Sequence, residues 1–145
     1  MVGLLHASGG NGPAWVLALL GGVAMTDTGA YALGRLLGKR RLAPRVSPKK
    51  TWAGVFGGFG GTILGIAVVK LVFFDALGWY AALMLGVVLS PCAQLGDLIA
   101  SYIKRGFDAD DSGDLIPGHG GMIDLFDSLM LSAPVVVVFS AIVPL

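Results

Sequence analysis

Glutamate is absent from this 145-residue chain, and charged residues of all kinds make up only 13% of it. Soluble domains carry about 25% charged residues, so this shortage excludes an ordinary soluble domain and a charge-rich disordered chain. The net charge is +1, which gives no sign of a nucleic-acid-binding surface. The single cysteine, Cys92, cannot form a disulfide within the chain. What remains is a chain dominated by apolar residues.

Hydrophobic residues make up 55% of the chain, and 23 further residues are glycine. A membrane-spanning helix needs about 20 mostly apolar residues. The long uncharged stretches therefore predict an all-α, polytopic integral membrane protein with a single domain over residues 1–145. The four transmembrane helices are expected near residues 14–36, 53–74, 78–100 and 126–145. Residues 1–13 predict a loop or the end of a truncated element, with a cleaved signal peptide as the alternative.

Two long polar loops, near residues 39–50 and 101–125, separate these helices. Four helices place both loops on the same side of the membrane. The first loop is rich in lysine and arginine, and basic loops stay in the cytoplasm. The sequence therefore predicts a multi-pass protein of the inner (cytoplasmic) membrane with both polar loops facing the cytoplasm.

Glycines recur at helical spacing in the second predicted span, at Gly57, Gly61 and Gly65, with Gly54 and Gly58 as a further step. Small residues four apart let helix backbones approach closely in lipid. This ridge fits packing within one chain and equally fits the contact face of a homodimer.

Two aspartates fall within predicted spans. A carboxylate at membrane depth costs about 2.5–3.5 kcal/mol on insertion scales, so it normally faces a cavity or a partner. Asp27 fits such a site, or an interfacial position from which it reaches water. Asp97 belongs to a polar stripe on one face of the third helix, which predicts a cavity lining or a bundle interior. The stripe consists of Ser90, Gln94, Asp97, Ser101, Lys104 and Arg105.

The loop near residues 101–125 is dense in aspartate, and carboxylate oxygens suit Mg²⁺ or Ca²⁺. Asp124 and Asp127 are three residues apart, so both can point to one side of a helix start. Lys104 and Arg105 can donate to phosphates, and the glycine-rich backbone near Gly120 and Gly121 can approach an anion closely. Acidic groups for a metal beside basic groups for phosphate are the arrangement that phosphoryl or nucleotidyl transfer requires.

The first loop ends in two lysines between two hydroxyl residues: Ser47, Lys49, Lys50 and Thr51. This group could clamp a phosphate at the membrane surface. The alternative is charge that sets topology and contacts anionic lipid.

These segments together resemble the C-terminal half of the bacterial phosphatidate cytidylyltransferase family, also called CDP-diacylglycerol synthase. The resemblance covers residues 14–145 and rests on three segments: residues 27–51, residues 96–105 and residues 111–127. The last two follow the family pattern Ser-x-x-Lys-Arg, Lys-Asp, Pro-x-His-Gly-Gly and Asp-Arg-x-Asp in order and spacing. Asp110 stands where the family has lysine, and Leu125 where it has arginine.

The resemblance implies that CTP reacts with phosphatidic acid to give CDP-diacylglycerol and pyrophosphate in the bilayer. It implies Mg²⁺ as cofactor, with room for a second, monovalent cation. The implied metal ligands are Asp97, Asp111, Asp124 and Asp127. The implied phosphate-binding cations are Lys49, Lys50, Lys104 and Arg105. Hydrogen bonds to phosphate or metal-bound water would come from Ser47, Thr51 and Ser101. Asp27, His119, Gly120 and Gly121 complete the expected substrate-binding set, with His119 either contacting nucleotide or ordering the glycine turn.

Three other functions stay open. Asp110, Leu125 and the match to only half of a family member fit an impaired or non-catalytic homologue that binds metal, nucleotide or lipid. A small transporter would use the polar stripe as a pathway. A CTP-dependent lipid kinase would transfer the γ-phosphoryl group instead, and its products would separate it from a cytidylyltransferase.

Overall fold

The computed structural model describes residues 11–43, 47–106 and 120–143; the side chains of residues 48, 49, 104–106 and 120–127 lie outside the description. Within these residues the chain forms four helices and one two-stranded hairpin. In chain order the elements are α1 Gly12–Leu37, β1 Arg41–Ala43, β2 Ser47–Thr51, α2 Trp52–Phe73, α3 Trp79–Gly106 and α4 Gly120–Ile142.

The prediction of an all-α polytopic membrane protein is confirmed. Three helical segments are long and apolar enough to cross a membrane: Gly12–Leu37, Trp52–Phe73 and Trp79–Ile103. The part of α4 whose side chains are described, Ser128–Ile142, is a shorter apolar segment.

The second polar loop is shorter than expected, which corrects the sequence-based boundaries. The second polar loop was expected over residues 101–125, yet α3 continues to Gly106 and α4 already begins at Gly120. No strong helix breaker follows residue 100 until Gly106, so the helix continues after its residues turn polar. At the other end of the chain, α1 includes Gly12 and Pro13, and proline suits the first helical turn.

The first polar loop contains the β-hairpin, which the sequence analysis did not anticipate. Its strands are antiparallel, with Arg41 opposite Thr51, Ala43 opposite Ser47 and an irregular register between them. The Trp52 backbone N–H donates to the Arg40 carbonyl oxygen over 3.1 Å, which continues the pairing into the first residue of α2. The hairpin is thus joined to α2 without a linker.

Glycines bring α1 and α2 into backbone contact. A Cβ on Gly65 would stand 2.7 Å from the Gly21 carbonyl oxygen. A Cβ on Gly61 would overlap the Met25 carbonyl oxygen, and one on Gly57 would overlap that of Gly29. The ridge predicted from the glycine spacing therefore packs within one chain.

The apolar core lies at the end of the bundle remote from the hairpin. Trp15 at the start of α1 is fully buried and packs edge-on against Phe74, with ring centroids 4.9 Å apart. Leu77 and Leu85 are buried in the same cluster. Near this end the Lys70 ammonium lies over the Trp79 ring, 4.7 Å from its centroid. The tightest apolar packing is thus separated from the polar end of the bundle.

The glycine contact predicts a sharp contrast between two adjacent substitutions. Gly61→Ala should lower the free energy of unfolding by about 1–3 kcal/mol, because the new methyl group must displace the α1 backbone. Gly60 is the matched control, since a Cβ there meets nothing within 4 Å. Gly60→Ala should leave stability unchanged or raise it slightly, because alanine favours a helix. Both can be measured by unfolding titration in mixed micelles, and equal stabilities would contradict the contact.

Candidate active site

The polar stripe of α3 faces the bundle interior from Ser90 to Asp97, as the sequence predicts. Ser90 is fully buried, and Gln94 and Asp97 are half-buried. The Gln94 amide nitrogen donates to the Ser90 hydroxyl over 3.0 Å and to the Val55 carbonyl oxygen of α2 over 3.3 Å. The stripe is therefore a contact surface with α2 at this depth.

Among the described side chains, one ion pair joins the hairpin to α3. The Lys50 ammonium lies 2.7 Å from the Asp97 carboxylate oxygen Oδ2. Lys50 is the penultimate residue of β2, and Asp97 lies about one helical turn beyond Gln94. Residues from both polar segments singled out in the sequence are thus brought together. The pairing itself was not expected, since Asp97 was assigned to a metal and Lys50 to phosphate.

The ion pair is asymmetric in its exposure. The Lys50 side chain is 22% exposed and that of Asp97 is 35% exposed. The Lys50 ammonium nitrogen is buried, and it forms no well-aligned hydrogen bond with the described residues. A buried ammonium is costly unless it is paired, so the Asp97 carboxylate stabilises it mainly through charge. The carboxylate itself keeps access to the outside of the bundle.

A hydroxyl layer lies on the membrane side of this pair. The Thr26 hydroxyl of α1 contacts the Thr62 hydroxyl of α2 in a hydrogen bond between the two helices. Each hydroxyl also lies 2.7 Å from a carbonyl oxygen of its own helix, Gly22 for Thr26 and Gly58 for Thr62. Because each hydroxyl carries one hydrogen, one of them donates to the other and the second donates to its own carbonyl. Polar atoms at this depth are thus satisfied within the bundle, as a lipid environment requires.

The predicted hydroxyl residues have local structural partners. Thr51 is the N-cap of α2, and its Oγ1 accepts from the Gly54 N–H over 3.1 Å. A threonine directly before an apolar run is a known cap signal that the sequence analysis did not use. Ser101 donates to the Asp97 carbonyl oxygen over 2.8 Å, and Ser47 opens β2. Their contacts with substrate stay predictions.

Asp27 lies within α1 and is exposed on the surface of the bundle. Asp27 interacts with at least one other residue. Its neighbour Thr28 donates to the Ala24 carbonyl oxygen over 2.8 Å. The role of Asp27 as a site residue or as an interfacial carboxylate stays a prediction.

Much of the second predicted segment lies outside the description. Asp111 and His119 are outside the described residues, and so are the side chains of five others: Lys49, Lys104, Arg105, Asp124 and Asp127. The backbone at residues 124 and 127 is helical, but the helix starts earlier than predicted, at Gly120. Gly120 and Gly121 were expected in a loop, but they are the first residues of α4. Their N–H groups therefore belong to a helix terminus.

The described residues hold no group of three or more His, Cys, Asp or Glu side chains able to bind a metal. Asp97 is the predicted ligand whose carboxylate they do include. Its oxygen donors suit a hard cation such as Mg²⁺, and the carboxylate is partly exposed beside Lys50. The arrangement therefore presents the Asp97 carboxylate at this end of the bundle, with the Lys50 ammonium buried against it.

The chain is similar in sequence to a known protein family and to several of its members. Residues 2–143 match the model of a family described as the cytidylyltransferase family. The chain is 48% identical over 113 residues to a phosphatidate cytidylyltransferase of Staphylococcus epidermidis, which covers 77% of this chain and 43% of that protein. It is 42% identical over 127 residues to one of Brucella suis, covering 88% of this chain and 47% of the relative. A third, of Staphylococcus haemolyticus, is 42% identical over 130 residues, or 89% of this chain and 50% of the relative. The chain spans about half the length of these relatives.

The ion pair predicts energetic coupling between β2 and α3. Lys50→Met and Asp97→Asn should each destabilise the fold, because each leaves the other group without its partner. The double variant should be more stable than the sum of the single effects predicts, by about 1–3 kcal/mol. Unfolding titrations of the four proteins measure this difference.

Asp75 provides the control for this comparison of single and double variants. It is an exposed aspartate between α2 and α3, at the opposite end of α2 from Lys50. Lys50→Met combined with Asp75→Asn should give additive effects. Additive effects for Lys50 and Asp97 as well would show that the ion pair does not hold the hairpin to α3.

Proposed function

This chain belongs to the cytidylyltransferase family, and we propose that it acts as a phosphatidate cytidylyltransferase, the activity named for relatives 42–48% identical to it. The reaction joins CTP and phosphatidic acid to give CDP-diacylglycerol and pyrophosphate. The chain is then a nucleotidyltransferase of phospholipid synthesis that works in the bilayer.

The structural observation that supports this proposal is the meeting of Lys50 and Asp97 at the polar end of an apolar bundle. A lipid phosphate lies at the membrane surface while its acyl chains stay in the apolar layer. An enzyme acting on it needs cationic groups at that level, and carboxylates to hold a divalent cation for the nucleotide. The Lys50–Asp97 end supplies one of each on three helices that can span the membrane.

In the proposed reaction a phosphate oxygen of phosphatidic acid forms a bond to the α-phosphorus of CTP. The bond from that phosphorus to the bridging oxygen of the β-phosphate breaks, and pyrophosphate leaves with the electron pair. The attacking phosphomonoester is largely ionised near pH 7, because the second pKa of such a group is about 6. No protein side chain is therefore required as a general base.

Lys50, whose ammonium nitrogen is buried beside Asp97, would turn outward to bind a phosphate oxygen, and Lys49, Lys104 and Arg105 would add positive charge. Ser47, Thr51 and Ser101 would orient phosphate or water by hydrogen bonds. Such fixed charges favour the reaction because they stabilise negative charge on the transferring group without reorganisation. The roles of Asp27, His119, Gly120 and Gly121 in substrate binding are part of the same proposal.

Mg²⁺ is the proposed cofactor, held by Asp97 together with Asp111, Asp124 and Asp127. It would neutralise phosphate charge and polarise the reacting phosphoryl group. Asp97 can take part while paired, because an ionised carboxylate has about four lone-pair sites and Lys50 contacts one oxygen. A second, monovalent cation would share the same acidic groups.

We place the hairpin and the segment between α3 and α4 on the cytoplasmic side of the inner membrane. The basic residues near the hairpin support this orientation through the positive-inside rule. CTP is a cytoplasmic nucleotide, so a site on this side is also the one it can reach. A homodimer stays a prediction; the glycine ridge that suggested it is covered by α1.

A catalytically impaired homologue is the second candidate. It is favoured by Asp110 and Leu125, which replace a lysine and an arginine of the family pattern. Such a protein would keep nucleotide, metal or lipid binding without turnover. The two candidates differ in product formation, so one assay separates them.

The proposal predicts transfer of label from CTP carrying ³²P at the α-phosphate into the lipid phase, with phosphatidic acid and Mg²⁺ in mixed micelles. Asp97→Asn should lower the rate by about 10²–10³-fold, the usual effect of losing one electrostatic contact to a transition state. Asp75→Asn is the matched control and should keep the full rate.

Label in lipid from the γ-phosphate of CTP would instead indicate a lipid kinase. If the chain shows no transfer and an Asp110→Lys/Leu125→Arg variant restores it, the impaired homologue is the correct reading. No transfer from either protein would overturn the proposal that this chain is active by itself.

A further inference from the structure

We propose that Gln94 is a positioning residue that fixes α3 against β2 and α2, so that Asp97 stands opposite Lys50. The effect of Gln94 on the reaction rests on the proposed function. The effect of Gln94 on the register between α2 and α3 rests only on the contacts of its side chain, and it has its own test.

The Gln94 side chain crosses from α3 to α2 and uses both hydrogens of its amide nitrogen. One is donated to the Val55 carbonyl oxygen and one to the Ser90 hydroxyl. The acceptor on α2 is a backbone atom, which moves only when the helix moves. The hydrogen bond therefore fixes the Gln94 side chain to the α2 backbone. The acceptor on α3 lies one turn before Gln94 and holds the side chain against its own helix.

Gly58 makes room for this amide. A Cβ on Gly58 would lie 3.0 Å from the Gln94 amide nitrogen and 3.2 Å from the Thr26 methyl carbon. The neighbouring glycines Gly54, Gly57 and Gly61 face α1, so Gly58 is the one of this group that meets α3. Lipid supplies no hydrophobic force that would set the height of α3 on α2. The directional hydrogen bond from Gln94 to Val55 therefore sets the register at this point.

Among the described side chains, two polar contacts connect α3 to the continuous β2–α2 segment: Gln94 with Val55, and Asp97 with Lys50. They lie about one helical turn apart on α3. Two contact points at different levels restrict both the shift of α3 along its axis and its rotation about that axis, relative to α2. A shift of α3 by one residue is about 1.5 Å along its axis. Such a shift would separate the carboxylate from the ammonium.

Gln94 is not placed as a catalytic residue. Its amide hydrogens are both used within the bundle, and it lies deeper in the membrane than Asp97. Its effect on the reaction would come through the position of Asp97. A misplacement of about 1 Å can lower a rate by about 100-fold, which is enough for a large effect without contact to substrate.

The register can be measured by a disulfide between α2 and α3 at a point away from the site. A Cβ at position 86 would stand 3.7 Å from the Cβ of Ile63, close to the mean of about 3.8 Å in disulfides. In a Cys92→Ser background, Ile63→Cys/Gly86→Cys should therefore cross-link readily under mild oxidation. Adding Gln94→Met, which keeps an unbranched chain without a donor, should slow the cross-linking severalfold. Gln94→His, which restores an N–H donor, should recover it.

Leu95→Met is the matched control, because Leu95 is the next residue of α3 and is exposed. It places the same side chain on the same helix and should leave the cross-linking rate unchanged. Gly58→Ala is a second probe of the register, since its methyl group would push the Gln94 amide away from Val55. It should slow cross-linking as Gln94→Met does. If neither variant changes the rate, the proposed role of Gln94 is wrong.

Activity gives the second readout. Per folded protein, Gln94→Met should lower kcat by about 100-fold with little change in the KM for CTP. Closing the disulfide in that variant should restore kcat, because it returns α3 to its register. A purely structural role would reduce the amount of folded protein and leave kcat unchanged, which would overturn the proposal. If the wild-type chain shows no transfer, the proposed function fails, while the cross-linking rates still decide the role of Gln94.

Discussion

The backbone contact between α1 and α2 is the constraint on which the rest of the structure depends. Carbonyl oxygens of α1 occupy the space where side chains would project from Gly57 and Gly61 of α2. In lipid such close packing replaces the hydrophobic force that assembles soluble helices. The same contact brings Gly38, which follows α1, against the Thr51 side chain that caps α2. The hairpin between them therefore has both ends fixed, and Lys50 is carried on a strand that cannot move independently of the two helices.

Polarity increases along the bundle from one end to the other. Trp15 and Phe74 close the apolar end, the Thr26–Thr62 contact lies further along, and the Lys50–Asp97 pair lies at the hairpin end. Polar groups buried in lipid need partners, and the Thr26–Thr62 and Lys50–Asp97 contacts supply them between separate elements. This order places the charged groups where the membrane ends and where a lipid phosphate meets a water-soluble nucleotide. The proposed chemistry follows from that placement.

Sequence reasoning succeeded where a local pattern determines structure. The uncharged runs gave the helices, and the helical spacing of Ser90, Gln94 and Asp97 gave the face of α3 that turns inward. It did not give the hairpin, because β1 has three residues and β2 contains Pro48, so neither shows an alternating pattern. The Lys50–Asp97 pairing is a contact between distant segments, and no local signal distinguishes it from a metal site or a phosphate site. The third span was expected to end near residue 100 although its polar stripe was followed to Arg105, and the helix does run on to Gly106.

The most direct test of this account is zero-length cross-linking with a carbodiimide, which joins a lysine to a carboxylate only when they touch. Peptide mass spectrometry of the treated protein in lipid micelles should show an amide bond between Lys50 and Asp97. Mg²⁺ and CTP should suppress this bond, because phosphate would then occupy Lys50 and the metal would occupy Asp97. A protein in which Lys50 links to other carboxylates but not to Asp97, or in which Mg²⁺ and CTP leave the link unchanged, would contradict the account.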